Sequence, residues 1–141
     1  MSIGFSPRQR AANRHVVTTF HPGTALGAAT ADWVVFRAPT AGTLKRCSWT
    51  PNAAVTGTAT NHFSIVFVNK GTAGAGTATI GTAVTYTNAV NAVAFDEVNI
   101  SSTDVAVKAN EVIAFRRTLV GTGLATPDGS VSVEFESNDW A

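Results

Sequence analysis

The sequence predicts an all-β protein, a jelly-roll-like β-sandwich of about eight strands that follows an extended N-terminal arm. Short runs rich in β-branched and aromatic residues recur along the chain, and Gly, Pro, Asn and Asp turn signals separate them. No segment keeps the 3.6-residue apolar period of an amphipathic helix. With 141 residues, the chain has room for a single hydrophobic core.

The clearest predicted strand covers residues 62–68, where Phe63, Ile65 and Phe67 share one face. Residues 130–136 alternate between apolar and polar side chains in the same way. Further strands are predicted at residues 33–37, 43–50, 77–87 (two pieces around Gly81), 93–100, 105–107 and 111–120. Eight strands in about 110 residues favour a jelly roll over a seven-stranded immunoglobulin-like sandwich.

We divide the chain into a basic arm with its linker, residues 1–31, and a sandwich domain, residues 32–141. Prolines interrupt any helix in the arm, although residues 16–20 (VVTTF) could form one short strand. The arm carries Arg8, Arg10 and Arg14 and no acid, whereas nine acids accompany seven bases from residue 32 onward. A cationic arm on a slightly acidic body is therefore the charge pattern that needs an explanation.

The amino-acid composition excludes several classes of protein. Charged residues make up 13% of the chain, about half the usual share, which suits a protein that covers much of its surface with neighbours. No run approaches the ~20 apolar residues of a membrane span, and no apolar segment of a secretory signal follows the first arginines. The single cysteine, Cys47, excludes an intramolecular disulfide. We therefore expect no membrane partner.

The sequence contains no pattern typical of a catalytic or metal site. Nucleophile elbows, zinc-protease motifs, phosphate-binding loops and calcium loops are all missing, so we expect no enzyme activity, no cofactor and no metal. Cys47 is expected to be an inert, half-buried thiol. Glu134 and Glu136 are expected either to form a solvated face or, if the last two strands form an antiparallel hairpin, to pair with Arg116 or Arg117.

The arm has two possible partners. Its arginines, with Phe5 and Phe20, could bind nucleic acid, but three charges are few for that purpose. The favoured interpretation is an arm that lies on an acidic protein surface. Apolar side chains would anchor the arm, and the arginines would form bidentate ion pairs with acidic groups of that surface. The proposed protein-binding residues are Ile3, Phe5, Arg8, Arg10, Arg14 and Phe20.

Three tryptophans, at positions 33, 49 and 140, could line a sugar-binding platform, but such residues more often fill a core or an interface. Trp33 and Trp140 are the possible interface residues, and Trp140 is expected to dock on its own sandwich or on a neighbouring subunit.

Several turn-rich strings after residue 35 resemble the capsid decoration proteins of tailed double-stranded DNA bacteriophages. They are FRAPTAGTL (36–44), SWTPNAAVTG (48–57), NHFSI (61–65), VNKG (68–71), AFDE (94–97) and VGTGLATPDG (120–129), within about three quarters of the chain. The resemblance implies a cement protein, commonly a homotrimer, that sits on the outer capsid surface of the virion and bridges subunits of the major capsid protein. It transfers no catalytic residue. The alternative is a receptor- or glycan-binding module of a phage tail or fibre.

Overall fold

The computed structural model describes residues 13–138, and the fold in this range is all-β. Nine strands form two antiparallel sheets, which confirms the predicted sandwich. The strands are β1 (Arg14–His21), β2 (Ala31–Arg37), β3 (Gly42–Pro51), β4 (His62–Asn69), β5 (Ala78–Thr85), β6 (Val98–Ser101), β7 (Val105–Val107), β8 (Val112–Val120) and β9 (Gly129–Ser137). The part of the chain that the structure describes contains no helix long and apolar enough to cross a membrane.

The strand pairs are nested about the connection between β4 and β5. The first sheet has the order β1-β9-β3-β6, with β7 also beside β3, and the second sheet has the order β2-β8-β4-β5. The pairs β4·β5, β3·β6, β2·β8 and β1·β9 therefore enclose one another, as if a long antiparallel hairpin had been folded over two sheets. Because of this nesting, each sheet contains strands from both halves of the chain.

Residues 14–21, which the sequence analysis placed in the arm, are a strand of the sandwich. Strand β1 pairs with β9 along its whole length, from Arg14 opposite Glu136 to His21 opposite Gly129. The local β pattern of residues 16–20 predicted a strand here, but its partner lies at the other end of the chain. Residues 1–12 and 139–141 lie outside the described residues.

The last two strands do not form the predicted hairpin. Strand β8 belongs to the second sheet and β9 to the first, so residues 121–128 cross from one sheet to the other. Because the two strands are not neighbours, the expected pairing of Arg116 or Arg117 with Glu134 or Glu136 is wrong. The side chain of Arg116 binds Asp32 instead, through contacts of 2.7 and 3.0 Å.

Aromatic side chains fill the space between the sheets. Trp49 on β3 is fully buried, and its ring lies 6.1–6.4 Å from the rings of Phe63, Tyr86 and Phe115. Burial of each large side chain contributes about 2–3 kcal/mol. Trp49 is therefore a core residue rather than part of a surface platform.

A glycine lets the two sheets approach each other beside β5. The backbone of Gly81 has φ +79°, and a Cβ atom there would lie 2.2 Å from the carbonyl oxygen of Ile100. Four residues of β5 span the distance that two residues of β4 cover at this point, so Gly81 lies in a bulge. The sequence prediction of two strand pieces around Gly81 reflects this bulge.

One buried cation joins two loops to the interior. The side chain of Arg117 on β8 is fully buried and meets no carboxylate among the described residues. Its guanidinium donates to Thr126 Oγ1 at 2.7 Å, to the carbonyl oxygen of Ala28 at 2.8 Å and to that of Leu124 at 3.1 Å. It also lies 5.5 Å from the centre of the Phe63 ring. Burial lowers the pKa of Arg117 from its ordinary value.

Replacing Arg117 with Met should lower the free energy of unfolding by about 3 kcal/mol, because buried acceptors on two loops lose their donors. Arg116→Met is the matched control. Arg116 forms a partly exposed pair with Asp32, so its loss should cost about 1 kcal/mol or less. Urea denaturation measures both values, and equal losses for the two variants would contradict the role assigned to Arg117.

Candidate functional site

The proposed arm residues do not form one described cluster. Ile3, Phe5, Arg8, Arg10 and Trp140 lie outside the described residues. Arg14 and Phe20 lie on β1, and Trp33 on β2 is half-buried against the core.

Arg14 is already neutralised within the sandwich. Its guanidinium lies 3.1 Å from the Glu134 carboxylate and 2.9 Å from that of Glu136, both on β9. The hydrogen bond to Glu136 and the charges of both acids raise the pKa of Arg14. These internal ion pairs compete with the clamping role predicted for Arg14.

The outer face of the first sheet carries a second set of internal charge pairs. Arg46 binds Glu97, and the hydroxyl of Ser48 donates to the same carboxylate at 3.0 Å. Val16, Ser132 and Glu134 complete a shallow cleft of about 150 Å³ with these three residues. Arg46 and Glu97 pair with each other, Glu134 pairs with Arg14 beside the cleft, and the lining includes neither His nor Cys.

The connection between β5 and β6, residues 86–97, is an ordered loop. Ala92 and Val55 exchange two backbone hydrogen bonds of 2.9 Å. The backbone N–H of Phe95 donates to the carbonyl oxygen of Pro51 at 2.8 Å, and the N–H of Gly57 donates to the Asn91 side chain at 2.8 Å. These bonds fix the loop against the segment that follows β3.

The loop displays two apolar side chains, which we call the apolar knob: Val93, 65% exposed, and Phe95, 77% exposed. The backbone of Phe95 has φ +64°, a left-handed conformation that is rare for a bulky residue. Such a conformation costs about 1–3 kcal/mol and is typical of functional segments. The apolar knob therefore combines backbone strain with an exposed aromatic ring, and neither serves the core.

The sequence pattern did not reveal the apolar knob. It predicted one strand over residues 93–100, whereas β6 begins at Val98. The signal that could have separated the two is the acid pair Asp96-Glu97, because charged residues are disfavoured within a strand. The strand prediction is wrong for residues 93–97.

Other candidate residues from the sequence are buried. Cys47 is fully buried rather than half-buried, and burial raises the pKa of its thiol to about 12, so it is not a nucleophile. His62 is buried, with Nδ1 3.0 Å from the carbonyl oxygen of Thr58. Within residues 13–138, no group of three or more His, Cys, Asp or Glu side chains is arranged to hold a metal ion.

His21 is a neutral histidine in the interior. Its ring packs edge-on against Trp33 at 4.4 Å and against Phe115 at 5.2 Å, and Nδ1 accepts a 3.3 Å hydrogen bond from the N–H of Gly23. Burial, helped by the charge of Arg117, lowers the pKa of His21 to about 4. The nearby Asp128 carboxylate opposes this shift.

Phe95→Asn should raise the free energy of unfolding by about 0.5–1 kcal/mol, since Asn adopts the left-handed conformation more readily than Phe. Val93→Asn, at an exposed position without positive φ, is the matched control and should change stability by less than about 0.5 kcal/mol. Urea denaturation measures both. A loss of stability in Phe95→Asn would show that the ring supports the fold.

His21 should make the protein sensitive to acid. The unfolded chain binds a proton near pH 6.5, whereas folded His21 binds one near pH 4, so its contribution is complete above pH 6.5 and declines towards pH 4. The total loss should be about 3 kcal/mol. His21→Asn, which keeps an acceptor for Gly23, should flatten this part of the stability curve. Denaturation between pH 4 and pH 7 tests this, and parallel curves for wild type and His21→Asn would contradict it.

No protein-family model matches the chain, and no curated protein matches it in sequence. Among solved structures, the chain is similar to one in "Structure of infectious bursal disease virus Gx strain", with a TM-score of 0.46 and 9% identity. The alignment covers 99% of this chain and 37% of that chain, so this chain spans little more than a third of its neighbour's length. This is a weak likeness to a chain from a virus, and it carries no argument on function. These comparisons do not show the tailed-phage decoration family that the sequence resembles.

Proposed function

We propose that the chain is a structural protein of a virus particle, a decoration or cement protein that binds the major capsid protein and stabilises the shell from its outer surface. The observation that carries the attachment role is the apolar knob, Val93 and Phe95, which an ordered loop holds in solvent. The assignment to a virion rests on the sequence resemblance to capsid decoration proteins. In this proposal the chain is not an enzyme and needs no cofactor.

The apolar knob has the properties of a binding anchor. Aromatic anchors that fill a pocket contribute a large share of interface energy, and a side chain held in place before binding loses little entropy. Burying an exposed phenylalanine ring contributes about 2–3 kcal/mol, which offsets the backbone strain at Phe95. The adjacent Asp96 makes no ion pair with the other described residues, so a basic rim around the pocket would complement it.

The segment before β1 is a second proposed contact. Ile3, Phe5, Arg8 and Arg10 keep the role that the sequence assigned to them, as anchors and clamps on an acidic surface of the shell. In the sequence they precede β1, which is an edge strand of the first sheet. With Arg14 paired internally, two arginines remain in the proposed arm, which disfavours nucleic acid as the partner.

The receptor- or glycan-binding alternative depended on exposed tryptophans beside polar groups. Trp49 lies in the core, and the ring of Trp33 packs against His21 and the Phe115 cluster. Trp49 offers no open face to a sugar, and the half-buried Trp33 ring is partly covered by His21, so attachment through the apolar knob is the better supported function.

Shell binding tests the proposal directly. Empty shells of the major capsid protein from the virus that encodes the chain are mixed with purified protein, and bound protein is measured by co-sedimentation. Wild type should bind and should raise the melting temperature of the shells. Phe95→Asn and deletion of residues 1–12 should each weaken binding about tenfold or more.

Val34→Asn is the matched control, because Val34 is as exposed as the knob residues but lies on β2. It should bind like wild type. Absence of wild-type binding would overturn the decoration role. Equal binding by wild type and Phe95→Asn would overturn the knob, and equal binding after deletion of residues 1–12 would overturn the arm.

A further inference from the structure

Strand β1 is a long edge strand with an open side. It ends the first sheet, pairing with β9 on one side, and no described residue forms a backbone ladder with its other side. Its eight residues contain neither Lys nor Pro nor a register shift, the devices that usually protect an edge. On the outer face, Val16 is 66% and Phe20 67% exposed.

We propose that β1 pairs with β1 of a second copy of this chain, antiparallel, about a two-fold axis at Thr18. The two first sheets then join into one continuous sheet across the axis. The contact is isologous, since each strand is both donor and acceptor of the same ladder. This inference does not depend on the proposed capsid function.

The register follows from the exposure pattern of β1. Val16, Thr18 and Phe20 lie on the outer face, while Val17 and Thr19 turn towards the sandwich. Opposed residues of an antiparallel pair share a face, so only registers that oppose residues of the same set keep the joined sheet continuous.

Among those registers, the one centred on Thr18 sets Val16 of each copy opposite Phe20 of the other. In this register the Val16 side chain of each copy lies against the Phe20 ring of the other, so both exposed apolar side chains of each copy are covered. The two Thr18 residues face each other at the axis. Aromatic–β-branched and Thr–Thr cross-strand pairs are favourable. A register centred on Val17 would instead set Phe20 opposite Arg14.

The charges of β1 favour a second copy as the occupant. The strand contains no acid, and its one arginine, Arg14, is neutralised by Glu134 and Glu136 on β9. In the Thr18-centred register, Arg14 lies opposite Pro22, just beyond the strand, so no charged side chain faces another across the axis. Two copies therefore approach without like-charge repulsion, whereas a basic or acidic partner strand would find no free charge on β1.

Charge exchange in β1 tests both the contact and its register. Wild type should form a dimer in sedimentation equilibrium between about 1 µM and 1 mM, the range expected for a small interface. Val16→Lys and Phe20→Glu should each weaken dimerisation about tenfold, because each opposes a charge to an apolar side chain of the other copy.

The double variant Val16→Lys/Phe20→Glu should recover dimerisation, since the introduced lysine of each copy then faces the introduced glutamate of the other. Its dimer should weaken as salt is raised, whereas the wild-type dimer should not. Within one copy the two substituted positions lie four residues apart on a strand, about 13 Å, so their side chains cannot satisfy each other. Val34→Glu, at an equally exposed position on β2, is the control and should dimerise like wild type.

Unfolding midpoints in urea confirm that each variant is folded. A wild-type chain that stays monomeric up to about 1 mM would overturn the proposal, as would a dimer indifferent to both single substitutions. A trimer, the state implied by the sequence resemblance, would also overturn it, because a three-fold contact is not isologous. Loss of dimerisation in the single variants without recovery in the double variant would overturn the Thr18-centred register.

Discussion

The burial of the Arg117 guanidinium is the constraint on which much of this fold depends. A cation without a carboxylate partner is tolerated in an interior only when polar groups surround it, and here the surrounding groups are loop carbonyls, one hydroxyl and the Phe63 ring. Those carbonyls belong to the β1–β2 and β8–β9 connections, which both cross between the sheets. The guanidinium thus fixes both connections. Its positive charge also helps to lower the pKa of His21, which keeps that ring neutral.

The chemical character of the surface follows from the small number of charged side chains that are left unpaired. Most charged side chains of the described sandwich form ion pairs within the same chain. Arg14 pairs with acids on β9, Arg46 pairs with Glu97, and Asp32 pairs with Arg116 and Lys70. What remains to distinguish one surface region from another is apolar exposure, and this is concentrated on β1 and on the loop before β6. Such a surface offers apolar contact more than free charge.

The strands were predictable from the sequence because their signal is local. Alternation in residues 62–68 and 130–136 identified β4 and β9, and the short run at 16–20 indicated β1. Pairing was less predictable, because it joins residues that are far apart in the chain. Glu136 was assigned a partner on β8, its neighbour in sequence, whereas its partner is Arg14, 122 positions away.

Two further features could not be predicted from the sequence, because each depends on residues far away in the chain. Arg117 looks like any strand arginine until the loops that enclose it are placed, and Phe95 fits a strand pattern until its backbone turns left-handed. The apolar knob depends on hydrogen bonds to Pro51 and Val55, which the sequence places about 40 residues away.

The position of β9 has a consequence for biosynthesis. Strand β9 lies between β1 and β3, so β1 has no native neighbour among the described strands of its sheet until β9 has been synthesised, more than 100 residues later. The first sheet therefore cannot close until β9 is available, and sheets that depend on such distant contacts form slowly. During that interval both edges of β1 are open, and nascent chains on one polysome carry this strand close to its identical copies. The order of strands thus makes timing, as well as stability, a determinant of which neighbour β1 meets first.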